Sequence, residues 1–255
     1  MEPIHSYTDK KSYIDQIDPI SKLLFAFVSI FITYLFSSIP ITCFVLLISI
    51  VLLMVGRVLR KIVPLLAISF TLLLSIIIVQ GLTHPTNEMP LLTLGTIVFY
   101  QEGLTFALLI TLRVFNMLAA FGVLILTTKP DDLMESLMKQ GMSPKISYVF
   151  LSVFQLIPQM RATLGKITDA QRSRGMETEG SLMIRIKAFF PLLGPAVLSS
   201  LNMTKERAIA LEVRGFSSKG KKTFISEEKS YFYPKFVRCG LIILLIAAIV
   251  WRIVG

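Results

Sequence analysis

The sequence predicts an all-α membrane protein, with about five transmembrane helices and a large basic helical region on one side of the bilayer. Three observations carry this. Hydrophobic residues make up 54% of the 255 positions and charged residues only 16%, too apolar a balance for water to be the only solvent. The apolar residues gather into runs of spanning length, and Lys and Arg fall unevenly between those runs. The most basic stretch is punctuated by proline starts and glycine stops, which is helix grammar.

A span needs roughly 17–25 mainly apolar residues at about 1.5 Å of rise each. The first candidate runs from Leu23 to Ser38 and the second from Ile41 to Val55, with Ser38, Ile39 and Pro40 as a tight connection. The third extends from Ile62 to Gln80, the fourth from Leu104 to Leu126 and the fifth from Phe236 to Val254. Tyr231, Phe232, Tyr233 and Trp251 are expected at the membrane interfaces. Arg57, Arg60 and Lys61 join the second and third spans, whereas 84–101 holds neither Lys nor Arg. By the positive-inside rule the first connection is cytoplasmic and the second is outside, so the N-terminus and the region 129–235 are cytoplasmic. The expected division is 1–128 for four spans, 129–235 for the cytoplasmic helices and 236–255 for the last span.

The first twenty residues include His5, Asp9, Lys10, Lys11, Asp15 and Asp18 and lack a short apolar core with a cleavage site, so the N-terminus is expected to be retained. Cys43, Cys239, His5 and His84 stand far apart, which gives no metal or redox spacing. The net charge of +10 then reads as a membrane-protein bias toward anionic lipid and acidic partners, and no nucleic-acid contact is expected.

In the basic region, Pro130 with Asp131 and Asp132 opens a helix that Gly141 closes. Ser143 and Pro144 start a second, which runs to Arg174 with an expected kink at Pro158 and stops at Gly175. Gly180 and Ser181 restart the pattern. A third helix, expected to be interrupted at Pro191 and Pro195, runs to Arg214 and Gly215. The segments 146–157 and 188–201 are nearly as apolar as spans but too short or broken to cross comfortably. They are expected to lie along the membrane surface, with an extra spanning hairpin as the alternative.

The ends of the last two helices repeat one pattern: Ala, three variable residues, Arg, Gly, apolar. Ala170, Ser173, Arg174, Gly175 and Met176 match Ala210, Val213, Arg214, Gly215 and Phe216. Each copy places a guanidinium where the negative end of the helix dipole favours it, beside a flexible glycine. One copy alone is an ordinary helix cap with a basic last residue. Two copies in one basic region suit two similar acidic grooves.

On these residues the chain resembles, over almost its whole length, the transmembrane T component, or coupling subunit, of energy-coupling factor (ECF) type ABC importers. The resemblance is carried by Asp18, Pro19, Ser21, Lys22, Leu23 and Leu24 before the first span, Arg113 in the fourth, and Thr127, Thr128 and Pro130. It is completed by the two Arg-Gly signatures. Ser173 and Val213 replace the alanine usual before each arginine, and Ile20 stands where a basic residue is common. The resemblance implies a multi-pass subunit of a prokaryotic plasma membrane, without catalytic residues, bound metal or cofactor of its own. Ala170, Ser173, Arg174, Gly175 and Ala210, Val213, Arg214, Gly215 would dock on two cytoplasmic ATPases, which hold the ATP and Mg. A separate substrate-binding membrane (S) subunit would carry the vitamin or transition metal.

Gly215 to Lys221 nearly spells a phosphate loop, but Lys222 stands where Ser or Thr must reach magnesium and no apolar strand precedes it. Arg113, deep in the fourth span, is either structural or functional, with Glu102 and Asn116 as candidate partners. A secondary transporter would show related halves and several intramembrane ionisable groups, and an enzyme a nucleophile or paired carboxylates at membrane depth; neither pattern is visible. A scaffold without transport stays open.

Overall fold

A computed structural model describes residues 13–83, 85, 89–94, 97–176, 181–218 and 234–254. His5, His84, Gly180, the basic stretch 219–222 and the aromatic cluster 231–233 lie outside these. The described chain is helical apart from one small hairpin, in the order α1 (Pro19–Leu35), α2 (Ile39–Val55), α3 (Leu59–Thr83), β1 (Pro90–Leu94), β2 (Ile97–Tyr100), α4 (Gln101–Thr127), α5 (Pro130–Lys139), α6 (Pro144–Ser173), α7 (Leu182–Val213) and α8 (Pro234–Val254). A short 3-10 turn, Tyr13–Gln16, precedes α1. The all-α membrane class read from the sequence is what the structure has. By length and composition α3, α4, the stretch Ile186–Val213 of α7 and α8 can each cross a bilayer, while α1 and α2 are shorter apolar helices.

Two compact units divide the chain. One comprises 5–140 with 228–255, and the other 141–227 with the first four residues.

In the first unit, α4 is the central helix, with α1, α2 and α3 packed around it, and α8 lies on α1. Local sequence explains each boundary. Asp18 caps α1 by accepting from the Ser21 N–H at 3.1 Å and the Ser21 hydroxyl at 3.4 Å, with Pro19 in the first turn. Pro40 sits in the first turn of α2. The α2–α3 turn passes through Arg57 at φ 54°, a left-handed position that a non-glycine residue adopts at some cost. Gly141, at φ +105°, follows α5.

An apolar cluster of Leu53, Val58, Ile62, Ala119 and Val123 joins α2, α3 and α4. Beside it runs a polar seam. Asn116, fully buried, accepts from the Ser29 hydroxyl at 3.2 Å and the Ser49 hydroxyl at 3.0 Å, and its amide donates to Ser29 Oγ at 3.0 Å. One side chain therefore binds α1 and α2 to α4, where apolar surroundings provide no water as a competing partner.

At the α1 N-terminal end the unit collects its charges. Lys22, buried, donates to the Thr127 carbonyl at 2.8 Å and so caps the C-terminus of α4. Asp18 meets Arg238 of α8, with Nε at 3.0 Å and Nη2 on the same oxygen. Gly56, in the α2–α3 turn that carries Arg57, Arg60 and Lys61, approaches the Thr127 side chain, so these residues share that basic end.

The other end of α3 and α4 is a close glycine approach. A methyl group on Gly103 would overlap the backbone carbonyl of Gln80, an obstacle that no rotamer change removes. Gly103→Ala is expected to destabilise the unit by about 1–3 kcal/mol, read as a lowered unfolding temperature in detergent. An unchanged temperature would show that the α3–α4 contact is loose.

Two expectations are corrected. Pro191 and Pro195 do not interrupt α7, which is continuous from Leu182 to Val213, whereas α6 runs through Pro158 to Ser173 as expected. Each proline removes one N–H from the ladder, and the turns on either side are long enough to carry the helix across. The segment after α3 is no simple loop either: Leu92, Thr93 and Leu94 pair antiparallel with Phe99, Val98 and Ile97.

Candidate functional site

The two Arg-Gly tips are the same local structure made twice. At the end of α6, the Met176 N–H donates to the Gln171 carbonyl at 3.1 Å and the Gly175 N–H to the Arg172 carbonyl at 2.9 Å. At the end of α7, the Phe216 N–H donates to the Leu211 carbonyl at 3.0 Å and the Gly215 N–H to the Glu212 carbonyl at 2.9 Å. Both are Schellman caps, in which the residue after the helix must turn left-handed. Gly175 at φ +86° and Gly215 at φ +70° do so. Space is not the reason for glycine, since a Cβ at either position would meet nothing within 4 Å. The requirement is conformational.

Exposure repeats as faithfully as the hydrogen bonds. Ala170, Ser173, Arg174 and Gly175 are exposed, as are Ala210, Val213, Arg214 and Gly215. Val213 is 83% exposed, so the described residues leave this β-branched side chain largely open. The half-buried positions also match: Gln171 with Leu211, and Met176 with Phe216. Each tip thus presents a small or apolar residue, a guanidinium and a bare backbone turn. The caps themselves are made by backbone groups, which leaves the arginine side chains outside the capping bonds.

The helices hold the tips apart. Within the second unit α6 and α7 pack together in opposite directions: the Tyr148 and Phe216 rings meet tilted at 54° with centroids 5.2 Å apart, and Arg207 Nη2 donates to Gln159 Oε1 at 2.6 Å. The second tip therefore lies near the start of α6, and the first at its far end. Roughly 40 Å of helix separates Tyr148 from Arg174, at about 1.5 Å per residue. Two tips at this separation cannot share one small site. They also differ in charge, because Arg172 and Glu212 occupy the same exposed position of the repeat.

Arg113, the candidate within the fourth span, is held elsewhere. Its Nε donates to the Thr33 carbonyl at 2.9 Å, Nη2 donates to Ser37 Oγ at 3.1 Å, and its guanidinium carbon lies 5.0 Å from the centre of the Tyr34 ring. These bonds place a cation on the carbonyl-rich end of α1, where the helix dipole favours it. Glu102 and Asn116 are not its partners. Glu102 instead accepts from the Met89 N–H, and Asn116 belongs to the seam with Ser29 and Ser49. Among the described residues these contacts tie α4 to the end of α1.

Sequence reading named Asp18 and Lys22 without assigning them a task. Their task is the basic end of the first unit, and a cap followed by a lysine one turn on was the signal that could have found it. No cluster of three or more metal-ligating side chains occurs among the described residues.

The sequence is matched by known proteins over most of its length. The family described as CbiQ, cobalt transport protein, matches residues 10–224. The chain belongs to this family. Its curated relatives carry the name energy-coupling factor transporter transmembrane protein EcfT. That of Staphylococcus aureus is 29% identical over 236 residues, covering 86% of this chain and 85% of its own. That of Heliobacterium modesticaldum is 31% identical over 224 residues, with 82% and 81% covered. The Bacillus subtilis relative is 27% identical, with 84% of each chain covered. The T component of ECF transporters, inferred by resemblance, is thus what the CbiQ family membership supports, in a multi-pass membrane protein.

Proposed function

We propose that this T component couples two cytoplasmic ABC ATPases to a substrate-binding membrane subunit, with Arg174 and Arg214 as the two points of engagement. The observation that carries the reading is the duplicated Schellman tip. Two exposed guanidiniums, each beside a left-handed glycine, stand at opposite ends of α6 and suit two similar grooves lined by carboxylates. Closure of the ATPase pair would pull on both tips at once. Rigid helices of 30 and 32 residues transmit such a displacement along their length, so α6 and α7 act as levers.

The exposed apolar residues of α6 and α7, among them Phe150, Phe154, Met160, Phe189 and Phe190, offer the S subunit a surface that re-packs readily. On this reading the chain hydrolyses no ATP, and ATP and Mg stay on the partners. The N-terminus and both tips face the cytoplasm, as the run of Arg57, Arg60 and Lys61 directs. The cargo, a vitamin or a transition metal, is chosen by the S subunit.

Co-purification of the full chain in mild detergent tests the proposal. Two ATPase subunits and an S subunit are expected to accompany it, and their addition to vesicles is expected to give ATP-dependent uptake. Recovery of the chain with no ATPase from cells that express all components would overturn it.

A further inference from the structure

The β1–β2 hairpin is unlike the rest of the molecule, and its placement has a consequence for the membrane. Its base is set at the height of the first turn of α4. The Gln101 N–H donates to the Met89 carbonyl at 3.0 Å, and the Glu102 carboxylate accepts from the Met89 N–H at 3.2 Å. Phe99 of β2 lies against Gly81 in the last turns of α3, where a Cβ would press to 2.8 Å from the ring, and Leu104 of α4 lies beside the same glycine. One side of the hairpin is therefore clamped to the ends of two spanning helices.

The side chains at the start of β1 point away from this clamp and are apolar and exposed. Met89 is 64% exposed and Leu91 58% exposed, and Pro90 between them is exposed too. In water such a run would be costly. The segment 84–101 contains no Lys or Arg, and Tyr100, paired with Pro90, is the residue type that settles at the headgroup level.

We infer that the Met89–Leu91 edge of the hairpin is an interfacial anchor, seated among the lipid headgroups and upper acyl chains at the end of α3 and α4. Lipid is the occupant because the edge lies at the height where α3 ends and α4 begins, is apolar, and belongs to a segment without basic residues. The hairpin then acts as a stop that sets the depth and tilt of α3 and α4 in the bilayer. This does not depend on the ATPase reading.

The test uses the full chain with Cys43→Ala and Cys239→Ala, carrying Met89→Cys or Leu91→Cys, labelled with an environment-sensitive fluorophore. The protein is placed in phosphatidylcholine and phosphatidylglycerol vesicles, with Leu72→Cys as the mid-span reference. Nitroxide lipids labelled near the headgroup are expected to remove most of the emission at Met89 and Leu91, and iodide in the water to remove little. Nitroxides placed deep in the chain are expected to quench Leu72 instead. Strong iodide quenching with no lipid quenching would put the edge in water and overturn the anchor. Lipid quenching that disappears when the S subunit and ATPases are added would assign the edge to a protein interface and overturn it equally. Because the cysteines replace exposed residues, folding is checked by the Leu72 signal in the same preparations.

Discussion

The double variant Arg174→Glu with Arg214→Glu is expected to lose its ATPases while staying folded. The side chains are exposed and the caps are backbone bonds through Gly175 and Gly215, so the stability change should be confined to the reversed charge at the two helix ends, about 1–2 kcal/mol in all. Under the proposed docking in an acidic groove the same arginines would be charge-assisted donors, and truncating one partner of a buried charge pair costs about 2–5 kcal/mol. Reversal adds repulsion to that loss. Each tip alone should weaken association by about 30-fold or more, at roughly 1.4 kcal/mol per tenfold, and both together should take co-purified ATPase to background. The measurement is ATPase recovered per folded chain, with the unfolding temperature recorded in parallel. Equal recovery with the double variant would reduce the tips to helix caps. The single variants carry further information, since Arg172 near the first tip and Glu212 near the second give the two contacts different surroundings.

The second large effect is expected at Asp18. Its carboxylate is almost wholly buried, caps α1 through Ser21 and pairs with Arg238, the side chain of which is 25% exposed. Asp18→Ala removes the cap, worth about 1 kcal/mol, and strands a guanidinium. Stranding a fully buried partner costs about 3–5 kcal/mol. Arg238 can turn toward solvent or headgroups, so a total of about 2–4 kcal/mol is the expectation on those same scales. Because α8 lies on α1, the loss should show first as release of α8, read as new protease cleavage between 218 and 234 before global unfolding. Asp18→Asn retains a capping oxygen and should fall between wild type and Asp18→Ala. A Asp18→Ala protein that unfolds with wild type and resists protease equally would show that the ion pair contributes nothing.

These variants address groups of unequal visibility in the sequence. The Arg-Gly repeat was readable because a Schellman cap is local: seven consecutive residues contain the arginine, the glycine and all the backbone groups that bond. The same holds for the proline-started helices and for Gly141. The hairpin was missed although Thr93, Ile97, Val98, Phe99 and Tyr100 have strand character and Gly95 allows a turn. The absence of Lys and Arg there decides orientation, whereas the alternation of residues decides conformation. The prolines of α7 do not break it, because a single missing N–H is a local loss that long flanking turns outweigh.

By itself, then, the sequence determined the membrane class, the position of nearly every helix and the two tips, since each rests on composition or on contacts within a turn or two. Only the tertiary structure decided that Arg113 serves Thr33 and Ser37, that Asn116 ties Ser29 to Ser49, that Lys22 caps α4 and that Asp18 holds α8. Those partners lie tens to hundreds of residues apart. In a bundle whose helices are apolar on nearly every side, periodicity leaves open which face meets which, and the choice falls to small-residue approaches such as Gly103 on Gln80 and to the few polar groups that must find one another away from water.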